Sequence, residues 1–260
     1  MSDVESVPPP PTRPAPVRPA PGLAALAVTP VLRRLVAAWS VPAGTARRSG
    51  CPDCGTPIGS SLRSPLSPLA RCGHCGGRVG APPFTVELAL VAALGAVALA
   101  GRPVAETVAF AWWAVCAVPL AFVDLAVHRL PDRLTWPAAV GTWALLGVAA
   151  TVAGDGPAWV RALLAAWAVA LLFAGSTLLL GRRGFGLGDA KLALGAVAVL
   201  GWLGWGAVLF GLLLAFLGAA VCAVVLLAAG RVRWSGHLPF GPFLALGTLV
   251  TLALTSVGFP

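Results

Sequence analysis

Two aspartates stand where hydrophobic runs of this sequence end, and paired carboxylates can do chemistry. Asp124 follows Ala-Phe-Val, and Asp189 follows Gly-Phe-Gly-Leu-Gly. The sequence has nine acidic residues, of which only six come after residue 83. Because a carboxylate beside hydrocarbon is costly, its presence points to function. Two adjacent carboxylates cannot both ionise, so such a pair shares a proton and can activate a water, as in aspartic proteases. An interfacial or capping role for each is the structural alternative.

The composition is that of a polytopic membrane protein. Hydrophobic residues make up 58% of the chain and charged residues 10%, and the mean hydropathy is +0.88. A soluble domain has about 25% charged residues. The formal charge of +9 does not indicate a nucleic-acid partner, because the basic residues lie in the N-terminal region and in short loops. The partner that this composition requires is the lipid bilayer.

From residue 84 onward, apolar runs alternate with short polar breaks. This pattern predicts an all-α protein with about seven transmembrane helices. The predicted helices cover residues 84–101, 105–124, 135–153, 159–181, 189–203, 206–229 and 239–257. So few residues separate the fifth helix from the sixth that the two could form a tight hairpin.

The basic residues also predict the orientation in the membrane. If the N-terminus is cytoplasmic, sixteen of the eighteen Lys and Arg residues lie inside, as the positive-inside rule requires. Asp124 and Asp189 then both lie at the cytoplasmic face of the inner or plasma membrane. We therefore expect a membrane domain over residues 84–260, with its candidate chemistry at that face.

The region before residue 84 divides into two parts. Residues 1–21 are rich in proline, which predicts a disordered tail. Residues 22–83 are predicted to be cytoplasmic. Within them, the apolar run in 22–46 stops at Arg33-Arg34 after about eleven residues, too short to span a bilayer. It is more typical of an interfacial or packed amphipathic helix.

Four cysteines form two Cys-x-x-Cys pairs, Cys51 with Cys54 and Cys72 with Cys75, separated by seventeen residues. This spacing is typical of a zinc site. Four thiolates would complete a tetrahedral shell, which indicates a structural rather than a catalytic Zn²⁺. Two disulfides or four free thiols are the alternatives, and a cytoplasmic location argues against disulfides. The sequence therefore predicts a small zinc knuckle over residues 51–75.

A glycine-rich segment precedes Asp189, with Gly184, Gly186 and Gly188 at alternate positions. Such a segment allows another backbone to approach closely. Gly186 and Gly188 are therefore candidates for contact with an extended peptide substrate. Lys191 is the only lysine; it either biases the aspartate pair electrostatically or extends to the lipid head groups.

Two further polar residues, His128 and Asp132, lie in a predicted cytoplasmic turn over residues 125–135. Pro131 stops any preceding helix and Pro137 can begin the next one. We expect a solvated or N-capping role for Asp132 and a simple loop position for His128.

Together these segments resemble the type IV prepilin peptidases, a family of intramembrane aspartyl proteases. The resemblance lies in Asp124 with the following Leu-Pro-Asp-Arg-Leu-Thr-Trp-Pro, in Gly-Leu-Gly-Asp-Ala-Lys-Leu at 186–192, and in Pro-Phe-Gly-Pro-Phe-Leu-Ala-Leu-Gly at 239–247. The two Cys pairs, with Glu87 opening the next helix, resemble the cytoplasmic domain of bifunctional members. The similarity covers roughly residues 39–257.

The resemblance implies that Asp124 and Asp189 are the catalytic residues of an endopeptidase. Its substrates would be prepilins or pseudopilins, whose basic leader is removed just before an apolar helix. Bifunctional members also methylate the new N-terminus with S-adenosylmethionine, and they carry a transmembrane helix before the zinc domain. Residues 22–46 keep only a degraded version of that helix. We therefore expect cleavage without complete methylation, so that much of the cleaved substrate keeps a free α-amine. S-adenosylmethionine is expected as a cofactor only if methyl transfer is retained.

A non-enzymatic membrane transporter or assembly factor with a zinc-binding cytoplasmic domain is the alternative from another class. A transporter would more naturally keep acidic residues near the middle of the membrane and show paired halves. In this sequence the two aspartates lie at one face, and no internal repeat is visible. The peptidase is therefore the favoured hypothesis.

Overall fold

The computed structural model describes residues 21–42, 44–58, 68–181, 185–231, 238–255 and 258. Apart from Pro21, the predicted disordered tail lies outside the described residues, as do Gly184 and most of the segment between the two Cys pairs.

The described residues form eight α-helices. They are α1 (Pro21–Trp39), α2 (Thr85–Leu99), α3 (Val104–Val127), α4 (Asp132–Ala153), α5 (Gly156–Leu180), α6 (Leu187–Leu203), α7 (Trp205–Ala228) and α8 (Gly241–Leu254). The predicted all-α membrane fold is confirmed, and helices α2 to α8 lie within a few residues of the seven predicted apolar helices. Four of them (α3, α4, α5 and α7) are long and apolar enough to cross a membrane, whereas α2 and α8 are shorter. The count of seven spans stays a prediction.

Helix α6 forms the centre of the bundle. Every residue from Leu192 to Trp202 is buried, because α4, α5, α7 and α8 all pack against it. A helix that is enclosed on all sides is apolar around its whole circumference rather than amphipathic. The indole Nε1 of Trp143, on α4, donates a hydrogen bond of 2.9 Å to the Leu194 carbonyl and fixes the register of the two helices.

The far end of α6 is closed by a tight turn and by an arginine. Gly204 alone separates α6 from α7, with a φ of 143° that favours glycine, and the predicted hairpin is thereby formed. The guanidinium of Arg161, on α5, donates to the carbonyls of Gly201 and Trp202 at 2.8 Å each. These carbonyls belong to the last turn of α6, where no intrahelical donor is available.

Helix α1 is a packed amphipathic helix, one of the two forms that the sequence allowed. From Ala27 onward its buried residues recur at helical spacing, and they are Thr29, Leu32, Arg33, Val36 and Ala37. The side chain of Arg33 points inward and makes two hydrogen bonds of 2.6 Å to the carboxylate of Glu87 at the start of α2. Arg33 is therefore not the unpaired charge that its place in an apolar run suggested.

The turn between α3 and α4 is shorter than the sequence indicated. Helix α3 continues to Val127, and α4 already begins at Asp132, so the predicted turn over 125–135 reduces to residues 128–131. Pro137 lies inside α4 rather than at its start. Pro131 stands at the N-cap position, and its carbonyl accepts from the Thr135 hydroxyl at 2.8 Å.

Candidate functional site

The candidate site lies where several helix ends meet. Short connections join α3 to α4, α4 to α5 and α5 to α6, so each helix runs back along the one before it. The end of α3 and the starts of α4 and α6 therefore lie at the same end of the bundle. The approach is close, because a Cβ on Gly188 would lie 3.1 Å from the Cβ of Leu130. Gly188 thus allows the start of α6 to pack on the α3–α4 turn of the same chain.

Asp124 lies in the last turn of α3 and is almost completely buried, with 5% of its surface exposed. Its Oδ2 accepts a hydrogen bond of 3.0 Å from the backbone N–H of Gly241, the first residue of α8. A Cβ at position 241 would lie 2.8 Å from the same oxygen. A larger residue at position 241 would therefore displace the carboxylate of Asp124 from this amide.

Asp189 is the third residue of α6 and is partly exposed. Its Oδ2 accepts a hydrogen bond of 3.2 Å from the backbone N–H of Gly186, the N-cap residue. A carboxylate in the first turn of a helix also interacts favourably with the helix dipole. This capping contact is the structural role that the sequence left open for Asp189, and it leaves the other carboxylate oxygen without a hydrogen bond among the described residues.

The surroundings of the two carboxylates meet at Gly241, whose amide binds Asp124. A Cβ at position 241 would also lie 3.3 Å from the Cδ2 of Leu192, which follows Asp189 by about one helical turn. The structure therefore brings Asp124 and Asp189 to one polar spot at the end of an apolar bundle. The role of the pair remains a prediction.

Lys191 and Asp132 form an ion pair that the sequence did not anticipate. The Nζ of Lys191 lies 2.6 Å from the Oδ1 of Asp132, at the first residue of α4. Both side chains are substantially exposed, at 32% and 60%. The expected solvated position of Asp132 agrees with this exposure. Lys191 ties the start of α6 to the start of α4, a contact that neither of its two predicted roles included.

Two glycine amides hold the two aspartates, and a phenylalanine precedes each glycine. Phe185 precedes Gly186 and Phe240 precedes Gly241. The two rings pack with their centroids 5.3 Å apart. Neither Gly241 nor the two rings stood out in the sequence. The Phe-Gly pair is a weak signal, because it occurs a third time at Phe210-Gly211, inside α7.

An apolar groove runs between α2, α3 and α8 beside Asp124. Its volume is about 370 Å³. Alanines form much of its wall, including Ala89, Ala92 and Ala121, and it extends along α8 from Pro242 to Ala253. Eleven residues of helix rise roughly 16 Å. The groove therefore begins next to the Asp124 turn and continues for about three helical turns.

The four cysteines of the predicted knuckle lie together. The Sγ atoms of Cys51 and Cys75 are 3.7 Å apart, as are those of Cys54 and Cys72, and all four sulfurs lie within 4.8 Å of one another. A tetrahedral Zn²⁺ with bonds of about 2.3 Å separates its sulfur ligands by about 3.8 Å, whereas a disulfide bond is about 2.05 Å long. The four thiols are free and can hold one metal ion.

The two halves of this cluster have the same local structure. Gly55 and Gly76, each following the second cysteine of a pair, adopt φ angles of 71° and 72°. Each amide donates to the carbonyl of the first cysteine, at 3.0 and 2.9 Å. The hydroxyl of Thr56 lies 3.1 Å from the Sγ of Cys54, and hydrogen bonds from this hydroxyl and from the Thr56 backbone lower the pKa of the thiol to about 6. Cys54 is thus readily available as a thiolate ligand at neutral pH.

Comparison with known proteins agrees with the resemblance found in the sequence. A sequence model of the Type IV leader peptidase family matches residues 108–228. A Prepilin leader peptidase/N-methyltransferase of Burkholderia pseudomallei (strain 1026b) is 39% identical over 219 residues, which are 79% of this chain and 66% of the relative. Proteins of the same name from Aeromonas hydrophila and Pseudomonas aeruginosa are 34% and 32% identical, with 71% and 70% of their lengths covered. The chain thus spans about two thirds of the length of these relatives. No solved structure matches it.

Proposed function

Since the chain belongs to the type IV leader peptidase family, we propose that it is a membrane-embedded aspartic endopeptidase. It removes the leader peptide of prepilin or pseudopilin substrates at the cytoplasmic face of the inner or plasma membrane. The observation that carries this proposal is the pair of aspartates at one end of the bundle, each held by a backbone amide. Asp124 and Asp189 are its catalytic residues.

The reaction needs one ionised and one protonated carboxyl group, a state that adjacent carboxylates adopt because they cannot both ionise. The ionised group takes a proton from a water molecule, and the oxygen of that water attacks the scissile carbonyl carbon. The protonated partner donates to the carbonyl oxygen, and a tetrahedral intermediate forms. When this intermediate collapses, the C–N bond breaks, the leaving amine takes a proton from the dyad, and a hydroxyl of the intermediate returns a proton to the dyad as the carboxylic acid product forms. The proton is a property of the pair, so neither aspartate is assigned a fixed role.

The groove beside Asp124 suits the apolar helix that follows the cleavage site of such substrates. Its alanine-lined wall lets another helix approach closely in a membrane, where packing rather than hydrophobicity drives association. The groove starts at Pro242, directly after the Gly241 amide that holds Asp124. A substrate helix seated there would begin at the dyad. Gly186 and Gly188 precede Asp189, and Gly186 is exposed, so an extended substrate peptide could reach its backbone.

The metal of the four-cysteine cluster is proposed to be Zn²⁺. The sulfur separations fit tetrahedral coordination, and four thiolates leave no open position for a substrate. Cys51, Cys54, Cys72 and Cys75 would hold the ion, which would stabilise the fold of this cytoplasmic region without taking part in cleavage. We further assign residues 84–260 to the peptidase domain.

A second activity, N-methylation of the newly exposed amine, is supported by the names of the relatives, which include N-methyltransferase. The sequence argued against it through the adjacent Arg33 and Arg34 in the first helix. The buried pairing of Arg33 with Glu87 weakens that argument for Arg33, because a neutralised charge costs less to bury than an isolated one. The mass of the mature substrate decides the matter: a fully populated gain of one methyl group at its first residue, dependent on this protein, shows that methylation is retained. S-adenosylmethionine is the donor that we propose for it.

The experiment that tests the proposed peptidase is co-expression with a prepilin-like protein from the same genome. Loss of the leader, measured by mass spectrometry, is expected only when this chain is present. A transporter or assembly factor would leave the leader intact.

A further inference from the structure

We propose that Phe185 and Phe240 are positioning residues that set the relation between the two aspartates through their ring contact. The inference rests on the proposed peptidase function, because it concerns how Asp124 and Asp189 are held. Neither ring touches the substrate in this account. Each acts through the glycine amide that follows it in the chain.

Both aspartates are held by the same arrangement of residues. Gly241 donates its N–H to Asp124, and Gly186 donates its N–H to Asp189. In both cases the donor is the backbone N–H directly after a phenylalanine. A shift of either phenylalanine therefore moves the peptide plane that carries the donor.

The two rings belong to one aromatic cluster. Phe185 stacks on Phe173 of α5, with centroids 4.5 Å apart and planes 15° from parallel. Phe240 meets both rings edge-on, at 5.3 Å from Phe185 and 5.8 Å from Phe173. Phe216 of α7 completes the cluster at 5.6 Å from Phe185 and 5.1 Å from Phe240. Edge-on and stacked contacts have defined geometry, which aliphatic packing does not impose.

The backbone at Phe185 is also anchored from α5. Its N–H donates to the Ser176 hydroxyl at 3.2 Å, and the Thr177 hydroxyl donates to its carbonyl. The segment before Asp189 is thus fixed to α5, and the ring contact extends this fixed point to Phe240 and Gly241. The amides of Gly186 and Gly241, which are far apart in the sequence, are thereby held at a fixed distance from each other.

Precise placement matters for a reaction that needs both carboxylates at one carbonyl. A displacement of about 1 Å at a catalytic group can lower the rate about a hundredfold. Losing the ring contact should therefore lower kcat much more than it raises KM, because most of the proposed substrate contacts lie in the groove and only Gly186 lies next to a ring.

Phe216 supplies the matched control. Its ring has the same size and lies in the same cluster, but it is in the middle of α7 and no aspartate-binding amide follows it. Phe216→Leu removes ring contacts to the other three phenylalanines, as Phe185→Leu and Phe240→Leu do, although Phe216 is 39% exposed and Phe240 only 7%. The thermal stability of each variant is therefore measured beside its kcat, and a purely structural role for the cluster predicts that the loss of kcat follows the loss of stability.

The test measures kcat and KM for leader cleavage by the full-length protein in detergent or nanodiscs. We expect Phe185→Leu and Phe240→Leu each to lower kcat about tenfold or more, with KM and membrane levels close to wild type, and Phe216→Leu to lower it much less. The double variant should lose little more than the worse single variant, because both remove the same contact. If a leucine variant fails to accumulate, Phe→Met at that position replaces it.

Equal kcat losses in all three single variants, or a double variant whose loss is the product of the single losses, would overturn this inference alone. Retention of cleavage by Asp124→Asn would instead overturn the proposed dyad, and this inference with it.

Discussion

The ion pair between Arg33 and Glu87 yields a prediction whose size follows from burial. Its side chains are 2% and 9% exposed, and the two groups meet at 2.6 Å. The Lys191–Asp132 pair has the same separation but side chains 32% and 60% exposed. Removing one partner of a buried pair costs about 3–5 kcal/mol, because an uncompensated charge remains inside. An exposed pair contributes about 0–1 kcal/mol. We therefore expect Glu87→Leu to lower the free energy of unfolding by about 3–5 kcal/mol.

The assay is reversible unfolding of the purified full-length chain in mixed micelles, with Asp132→Asn as the control at equal ion-pair distance. Arg33→Leu should be at least as harmful as Glu87→Leu, since it also removes donors to the carbonyls of Ala81 and Pro82. The double replacement should cost much less than the sum of the single ones. A loss below about 1 kcal/mol for Glu87→Leu, or additive single losses, would refute the view that this pair fixes α1 to the bundle.

Two further predictions concern the groove and the metal. Ala92→Phe fills the groove and should raise KM for leader cleavage several-fold with little change in kcat. Ala98 is an exposed residue of α2 outside the groove wall, so Ala98→Phe should leave KM unchanged. Equal KM values for the two variants would show that the groove is not the substrate site. The full-length, reduced protein should contain one Zn²⁺ per chain by elemental analysis. Cys54→Ser should lose most of the Zn²⁺ while Cys116→Ser keeps it, because small sites of this kind fold on their metal. Leader cleavage by Cys54→Ser should weaken rather than vanish. A metal-free wild-type protein would contradict the assignment.

Elements that depend on local pattern were predictable from the sequence. The apolar runs gave helices α2 to α8 to within a few residues, because a helix in a bilayer must satisfy its own backbone and so appears as a continuous hydrophobic run. The four cysteines cluster as their spacing indicated, since each Cys-x-x-Cys pair closes its own tight turn. The family resemblance is likewise confirmed.

Contacts between distant residues were not predictable in the same way. Glu87 is 54 positions from Arg33, and Gly241 is 117 positions from Asp124. Nothing in the spacing of either pair announces the contact, because only the packing of whole helices brings them together. Arg33 therefore looked like a charge that breaks an apolar helix. Lys191 looked free to act on the dyad or on lipid, whereas the start of α4 supplies its partner, Asp132.

The measurement that tests the central claim most directly is leader cleavage by Asp124→Asn and Asp189→Asn, each quantified against the amount of protein inserted in the membrane. An amide keeps the shape of the side chain but can neither take the proton from water nor share one with its partner. The account predicts no detectable cleavage by either variant at wild-type membrane levels, and near wild-type cleavage by Asp132→Asn. Substantial cleavage by Asp124→Asn or Asp189→Asn, or a complete loss in Asp132→Asn, would contradict it.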